Sequence, residues 1–152
     1  MKFRNKYSHN CIKLTTHNSQ LIYHSFMEHL QLEATPTSAY VDFNPTTGKI
    51  EMKGRSVPEN PLEFFNPLTS WLETYHKEVA QPLSFDVKLE YFNTSSSKCL
   101  LDVFKKILLM HRAGIQTEIT WWCEEFDDDM VEAGEDYKEM LNMPFNIKIL
   151  EE

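Results

Sequence analysis

Residues 83–97 read Leu83-Ser84-Phe85-Asp86-Val87-Lys88-Leu89-Glu90-Tyr91-Phe92-Asn93-Thr94-Ser95-Ser96-Ser97. Leu83, Phe85, Val87, Leu89 and Tyr91 alternate with polar side chains, the period of two expected of a half-buried strand. Beyond the hydroxyls, Leu100, Leu101, Phe104, Ile107, Leu108 and His111 fall on one helical face, and Gly114 stands where a glycine ends a helix. A second alternating run, Ile115, Thr117, Ile119, Trp121 and Cys123, follows at once. Strand, helix and strand in this order predict a parallel pairing with a crossover helix.

The same alternation extends in both directions. Glu28–Glu33, directly after Met27, reads as a first strand, and the β-prone runs Tyr40–Phe43 and Lys49–Lys53 flank Asn44-Pro45-Thr46-Thr47-Gly48, a loop composition that predicts a hairpin with Gly48 at positive φ. Asn60 as N-cap, Pro61 at the first helical position and Glu63 three after the cap mark a helix start. Its apolar face is Phe64, Phe65, Leu68, Trp71, Leu72 and Tyr75. Pro67 lacks an N–H, so Asn66-Pro67 reads as a second helix start after one irregular turn. Asp127–Leu141 predicts a third helix with Met130, Ala133, Tyr137, Met140 and Leu141 inward, and Phe145, Ile147 and Ile149 a closing strand. Trp121 and Trp122 must point to opposite faces of their strand. The expected fold is α/β: a single domain with a small mixed sheet and helices packed against it.

A chain of 152 residues is long enough to bury one core. Its net charge of −8 argues against nucleic acid, whose binding needs Lys and Arg to neutralise phosphates. Nine carboxylates and one Lys lie between Glu124 and Glu139, so that segment carries the whole imbalance. Three separated cysteines, Cys11, Cys99 and Cys123, with no C-x-x-C, fit a reducing cytosol. No run approaches the length of a membrane span, and the first residues do not form a signal peptide. The expected location is the cytoplasm. Residues 1–26 are polar and aperiodic, expected to be poorly ordered, with Met27 as the functional start and 27–152 as the domain.

Catalytic signatures are lacking. There is no G-x-G-x-x-G or Walker sequence, and Ser96-Ser97-Lys98 has no glycines before it. His76 and His111 fall on separate helices. Asp127-Asp128-Asp129 lacks calcium-loop spacing and reads as a solvated acidic face. No metal or cofactor is expected. The four hydroxyls Thr94–Ser97 exceed what one N-cap requires, and the positive end of a helix dipole favours an added phosphoryl group there.

Pro58-Glu59-Asn60-Pro61 with Phe64-Phe65, Trp71-Leu72-Glu73-Thr74-Tyr75, Leu89-Glu90-Tyr91-Phe92-Asn93-Thr94-Ser95-Ser96, Gly114, Trp121-Trp122 and Glu132-Ala133-Gly134-Glu135-Asp136-Tyr137 together resemble the SiaC family of regulatory phosphoproteins, from about Glu33 to Leu150. The resemblance implies a fold similar to the STAS domain of anti-sigma-factor antagonists. It implies a hydroxyl phosphorylated by a Ser/Thr protein kinase and released by a PP2C-type phosphatase, and a partner, a diguanylate cyclase, bound by the unmodified form. By position Thr94 matches the modified residue and Asn93 the acidic residue often preceding it. Ser96 replaces a frequent glycine, which makes Ser95 an alternative site. The implied docking residues are Asn93, Thr94, Ser95, Ser96 and Lys98, with Glu59 and Asn60 beside them. The alternatives from other classes are a small metal-dependent enzyme and a constitutive scaffold.

Overall fold

The computed structural model describes residues 14–17, 20–23 and 27–151. Leu14–His17 (β1) and Gln20–Tyr23 (β2) pair antiparallel, Leu14 opposite Tyr23, in a two-stranded sheet of their own. The rest of the expected N-terminal extension lies outside the described residues.

The domain is built on a six-stranded sheet in strictly sequential order. Leu30–Leu32 (β3), Tyr40–Asn44 (β4) and Lys49–Ser56 (β5) run antiparallel. Leu83–Phe92 (β6), Thr117–Cys123 (β7) and Phe145–Ile149 (β8) then add parallel to β5. The crossovers carry Pro61–Thr74 (α1), Thr94–Arg112 (α2) and Asp128–Leu141 (α3). Parallel crossovers are almost always right-handed. When strand order also advances in one direction, that handedness puts every crossover helix on the same face. The burial pattern of the central strands agrees, since in β4, β5 and β6 the residues of one face are mostly buried and those of the other partly or fully exposed.

The covered face holds the core. Phe43 packs edge-on to Phe85, Phe85 to Phe104 and Phe104 to Trp121, with centroids 5.7, 5.9 and 6.4 Å apart. Trp121 is fully buried and its Nε1 donates to the Met130 carbonyl at 2.9 Å. Trp122 faces the bare side, where its Nε1 donates to Asp86 Oδ1 at 2.8 Å and the ammonium groups of Lys88 and Lys148 lie over its ring. Trp71 belongs to the core stripe of α1, stacked on Tyr75.

Three expectations are corrected. Helix α1 runs unbroken through Pro67. Only the Glu63 carbonyl loses its intrahelical bond there, and Glu63 is exposed, so water can replace the donor. Met140 does not face inward; it is 58% exposed, and Gly134 takes the packed position against Trp121 instead. Tyr91 is not part of the inward face of β6. Register shifts between Gly54 and Arg55, so that Gly54 opposes Leu89 but Arg55 opposes Tyr91, leaving Glu90 as an extra residue. That bulge reverses the parity of the strand end. Phe92 turns inward against Trp121, while Tyr91 is 50% exposed beneath the Arg55 guanidinium.

Gly48 closes the β4–β5 hairpin at φ 67°, and a Cβ there would stand 2.2 Å from the Pro82 carbonyl oxygen. Both the dihedral and the backbone contact oppose a side chain. We predict that Gly48→Ala destabilises the domain by about 2 kcal/mol or more, read as a lower urea midpoint. An unchanged midpoint would mean that this turn is not constrained by the β6 entry.

Candidate functional site

Strands β5 and β6 end side by side, Ser56 opposite Phe92, and their exits form the site. The Asn93 backbone N–H donates to the Ser56 carbonyl at 3.2 Å, and Ser56 Oγ donates to Ser96 Oγ at 3.0 Å. Asn93 is the N-cap of α2: its Oδ1 accepts from the Ser96 N–H at 2.9 Å and its carbonyl from the Ser97 N–H at 2.9 Å. The Asn93 and Ser96 N–H groups, two of the four donors that a helix start leaves over, are thereby satisfied. The N–H groups of Thr94 and Ser95 remain at the helix tip.

The hydroxyl cluster divides by direction. Thr94 and Ser95 are exposed. Ser96 is 1% exposed, so its place among the expected docking residues is corrected: its hydroxyl, bonded to Ser56, fixes the turn from within. Ser97 is half-buried and ties α2 to α3, with Tyr137 OH donating to the Ser97 carbonyl at 2.9 Å and lying 3.0 Å from Ser97 Oγ. Burial pushes the Tyr137 phenol pKa above its ordinary value, with nearby Asp136 acting in the same direction, so this link stays neutral.

The other expected docking residues are accessible. Lys98 is exposed one turn along α2 from Thr94. Glu59 and Asn60 are exposed in the segment leaving β5, and Asn60 caps α1 by accepting from the Glu63 N–H at 3.2 Å. Asp127 does the same for α3, accepting from the Met130 N–H at 3.2 Å. All three helices therefore start at the carboxyl ends of the parallel strands, the edge where open α/β sheets bind their ligands. With Asp127 occupied as a cap, the acidic run continues along α3. Among the described residues no group of three or more His, Cys, Asp or Glu is placed to hold a metal.

Several residues of this edge were not singled out by the sequence. Ser56 is an ordinary strand serine until the register sets it against a partner forty residues away. Arg55 joins Tyr91 only because of the bulge. Phe126, before the α3 cap, is 89% exposed at φ 67°, and nothing in its immediate sequence signals that dihedral.

The fold is a small single α/β domain that presents an exposed, hydroxyl-bearing turn at the start of α2. The chain belongs to the SiaC family of regulatory phosphoproteins, whose family model matches residues 32–150. A protein of Pseudomonas aeruginosa strain UCBPP-PA14, described only as uncharacterized, is 28% identical over 126 residues, covering 83% of this chain and all of that one. Among solved structures, apo-SiaC from Pseudomonas aeruginosa superposes with TM-score 0.74 at 29% identity, over 80% of this chain and 99% of that chain. The crystal structure of the diguanylate cyclase SiaD in complex with its activator SiaC, also from Pseudomonas aeruginosa, gives TM-score 0.77 at 27% identity, with the same coverage of both chains.

Removing the cap should loosen the turn without touching the core. Asn93→Ala is expected to cost about 1 kcal/mol in urea unfolding, and Asn93→Asp, which retains an accepting oxygen, much less. Equal losses in the two variants would assign the effect to something other than capping.

Proposed function

We propose that this protein is a non-enzymatic activator that binds a diguanylate cyclase while Thr94 is unmodified, and that phosphorylation of Thr94 ends the interaction. The supporting observation is the position of Thr94: exposed, first in α2, on a turn where Ser96 and Ser97 are turned inward and Ser95 alone shares its exposure. Family membership and the similarity to an activator solved with its cyclase support the same reading. A Ser/Thr protein kinase and a PP2C-type phosphatase would set the state of the hydroxyl.

The chemistry of the switch is electrostatic. A phosphoryl group brings a charge of about −1.5 to −2 and strong acceptor oxygens. In the free protein, the tip N–H groups of Thr94 and Ser95, the dipole of α2 and Lys98 one turn on all accommodate it. In a complex the same group must give up water against the partner and carry its charge into the interface. A difference of about 1.4 kcal/mol between these costs already shifts affinity tenfold.

The test is phosphoproteomics on the native protein, followed by assay of cyclic di-GMP synthesis by the organism's cyclase. Phosphate is expected on Thr94, activation by wild type and Thr94→Ala, and activation reduced tenfold or more by Thr94→Asp. Phosphate retained in Thr94→Ala would move the site to Ser95. Equal activation by the phosphorylated and unmodified proteins would overturn the switch.

A further inference from the structure

The outer surface between α1 and α2 forms a groove of about 690 Å³, with Leu62 and Glu73 on its α1 wall and Lys105, Leu109 and Arg112 on its α2 wall. Lys106 and Glu73 form an ion pair at 2.6 Å across it, each twelve residues beyond the first residue of its helix. Both helices leave the same sheet edge, so that pair fixes them side by side in the same direction. By the same offset Leu62 lies level with Ser95. One end of the groove therefore lies toward the turn that carries Thr94, with Cys99 the first residue of α2 to line it.

The groove combines two features. Leu62 and Leu109 are 62% and 51% exposed, and the equally exposed Met140 of α3 lies on the rim. Lys98, Lys105 and Arg112 recur every seven residues, which sets them in one stripe down the outside of α2. Among the described residues these three cations form no ion pair, and Asp102 is the lone carboxylate interspersed with them on α2. A surface of net positive charge on a chain of net −8 is selective for an acidic occupant.

We infer that this groove docks an acidic amphipathic helix of a partner protein. Its apolar stripe would seat on Leu62, Leu109 and Met140, and its flanking carboxylates would face Lys98, Lys105 and Arg112, in the manner of a helix laid into a hydrophobic groove. The stripe of cations begins one turn from Thr94, so a phosphate there neutralises the end of the surface that such a helix needs. The link to a cyclase rests on the function proposed above; the chemistry of the groove does not.

The probe is a fluorescently labelled helical peptide with leucines at i, i+3 and i+7 and glutamates on its flanks, and a control with lysines in place of the glutamates. In anisotropy titrations of the full chain, the acidic peptide should bind with an affinity that falls as salt rises, and the basic one should not. The double variant Lys105→Glu/Arg112→Glu should weaken binding at least tenfold, and Leu109→Asp should do so at all salt concentrations, with folding of each checked by thermal unfolding. Equal affinity for both peptides, no binding of the acidic one, or indifference to both variants would overturn the groove proposal. Self-association of wild type that the double variant abolishes would assign the groove to a second copy and overturn it as well. Cyclase activation then separates the two readings. If the double variant activates normally while Thr94→Asp does not, the groove is not the docking surface and the switch stands. If the wild type binds the acidic peptide and activates no cyclase, the groove stands and the cyclase reading falls.

Discussion

Two serines forty residues apart hold the end of β5 to the start of α2, and the accessible surface of the site follows from that link. Ser56 supplies its carbonyl to the Asn93 N–H and its hydroxyl to Ser96. The helix is thus fixed both at its cap and at its third residue. Successive residues of a helix point about 100° apart. With Ser96 locked inward, Thr94 and Ser95 must therefore face water. The same rotation brings Ser97 round to Tyr137 of α3. One buried hydroxyl pair sorts four consecutive hydroxyls into two that hold the domain together and two that face water.

The one-sided sheet is the second constraint. Sheets that are wholly parallel usually carry helices on both faces and read as unbroken apolar runs. Here strand order advances in a single direction, so all three helices cover one face and the strands alternate. The bare face is kept wet by charge: Lys88 and Lys148 lie over Trp122, and Asp42 is held below its usual pKa chiefly by its hydrogen bond with His29 at 2.6 Å. With one face covered and one bare, alternation along β7 gives Trp121 and Trp122, adjacent in sequence, opposite environments.

This one-sidedness made much of the fold legible in the sequence. The alternation of Leu83–Leu89 and Thr117–Cys123, the Asn60-Pro61 helix start and the Gly48 turn are local patterns, and each has a local physical cause. What was hidden depends on register between distant segments. The bulge opposite Gly54 turns Tyr91 outward, and no pattern within β6 announces it. Ser56 and Ser96 look interchangeable with any surface serine until the strands are paired. Pro67 misled in the other direction, because its cost depends on whether the orphaned carbonyl can reach water, which composition does not reveal. Of the site, the turn and its exposed hydroxyls followed from residue type, whereas the inward role of Ser96 required the tertiary contact.

Charge placement at the three helix starts sets the α2 turn apart from the other two. The first turn of α1 carries Glu63 and that of α3 carries Asp128 and Asp129, so their dipoles already have negative partners. The first turn of α2 carries no acid at all and is capped by a neutral Asn. An anion added to α1 or α3 would meet like charge. An anion added at Thr94 would meet two unpaired N–H groups and an uncompensated dipole, an interaction of about 0.3–1 kcal/mol at an exposed helix end. The chain concentrates its excess carboxylates between Glu124 and Glu139 and leaves α2 basic. A strongly acidic protein thereby retains one edge where a further negative charge is tolerated by the fold.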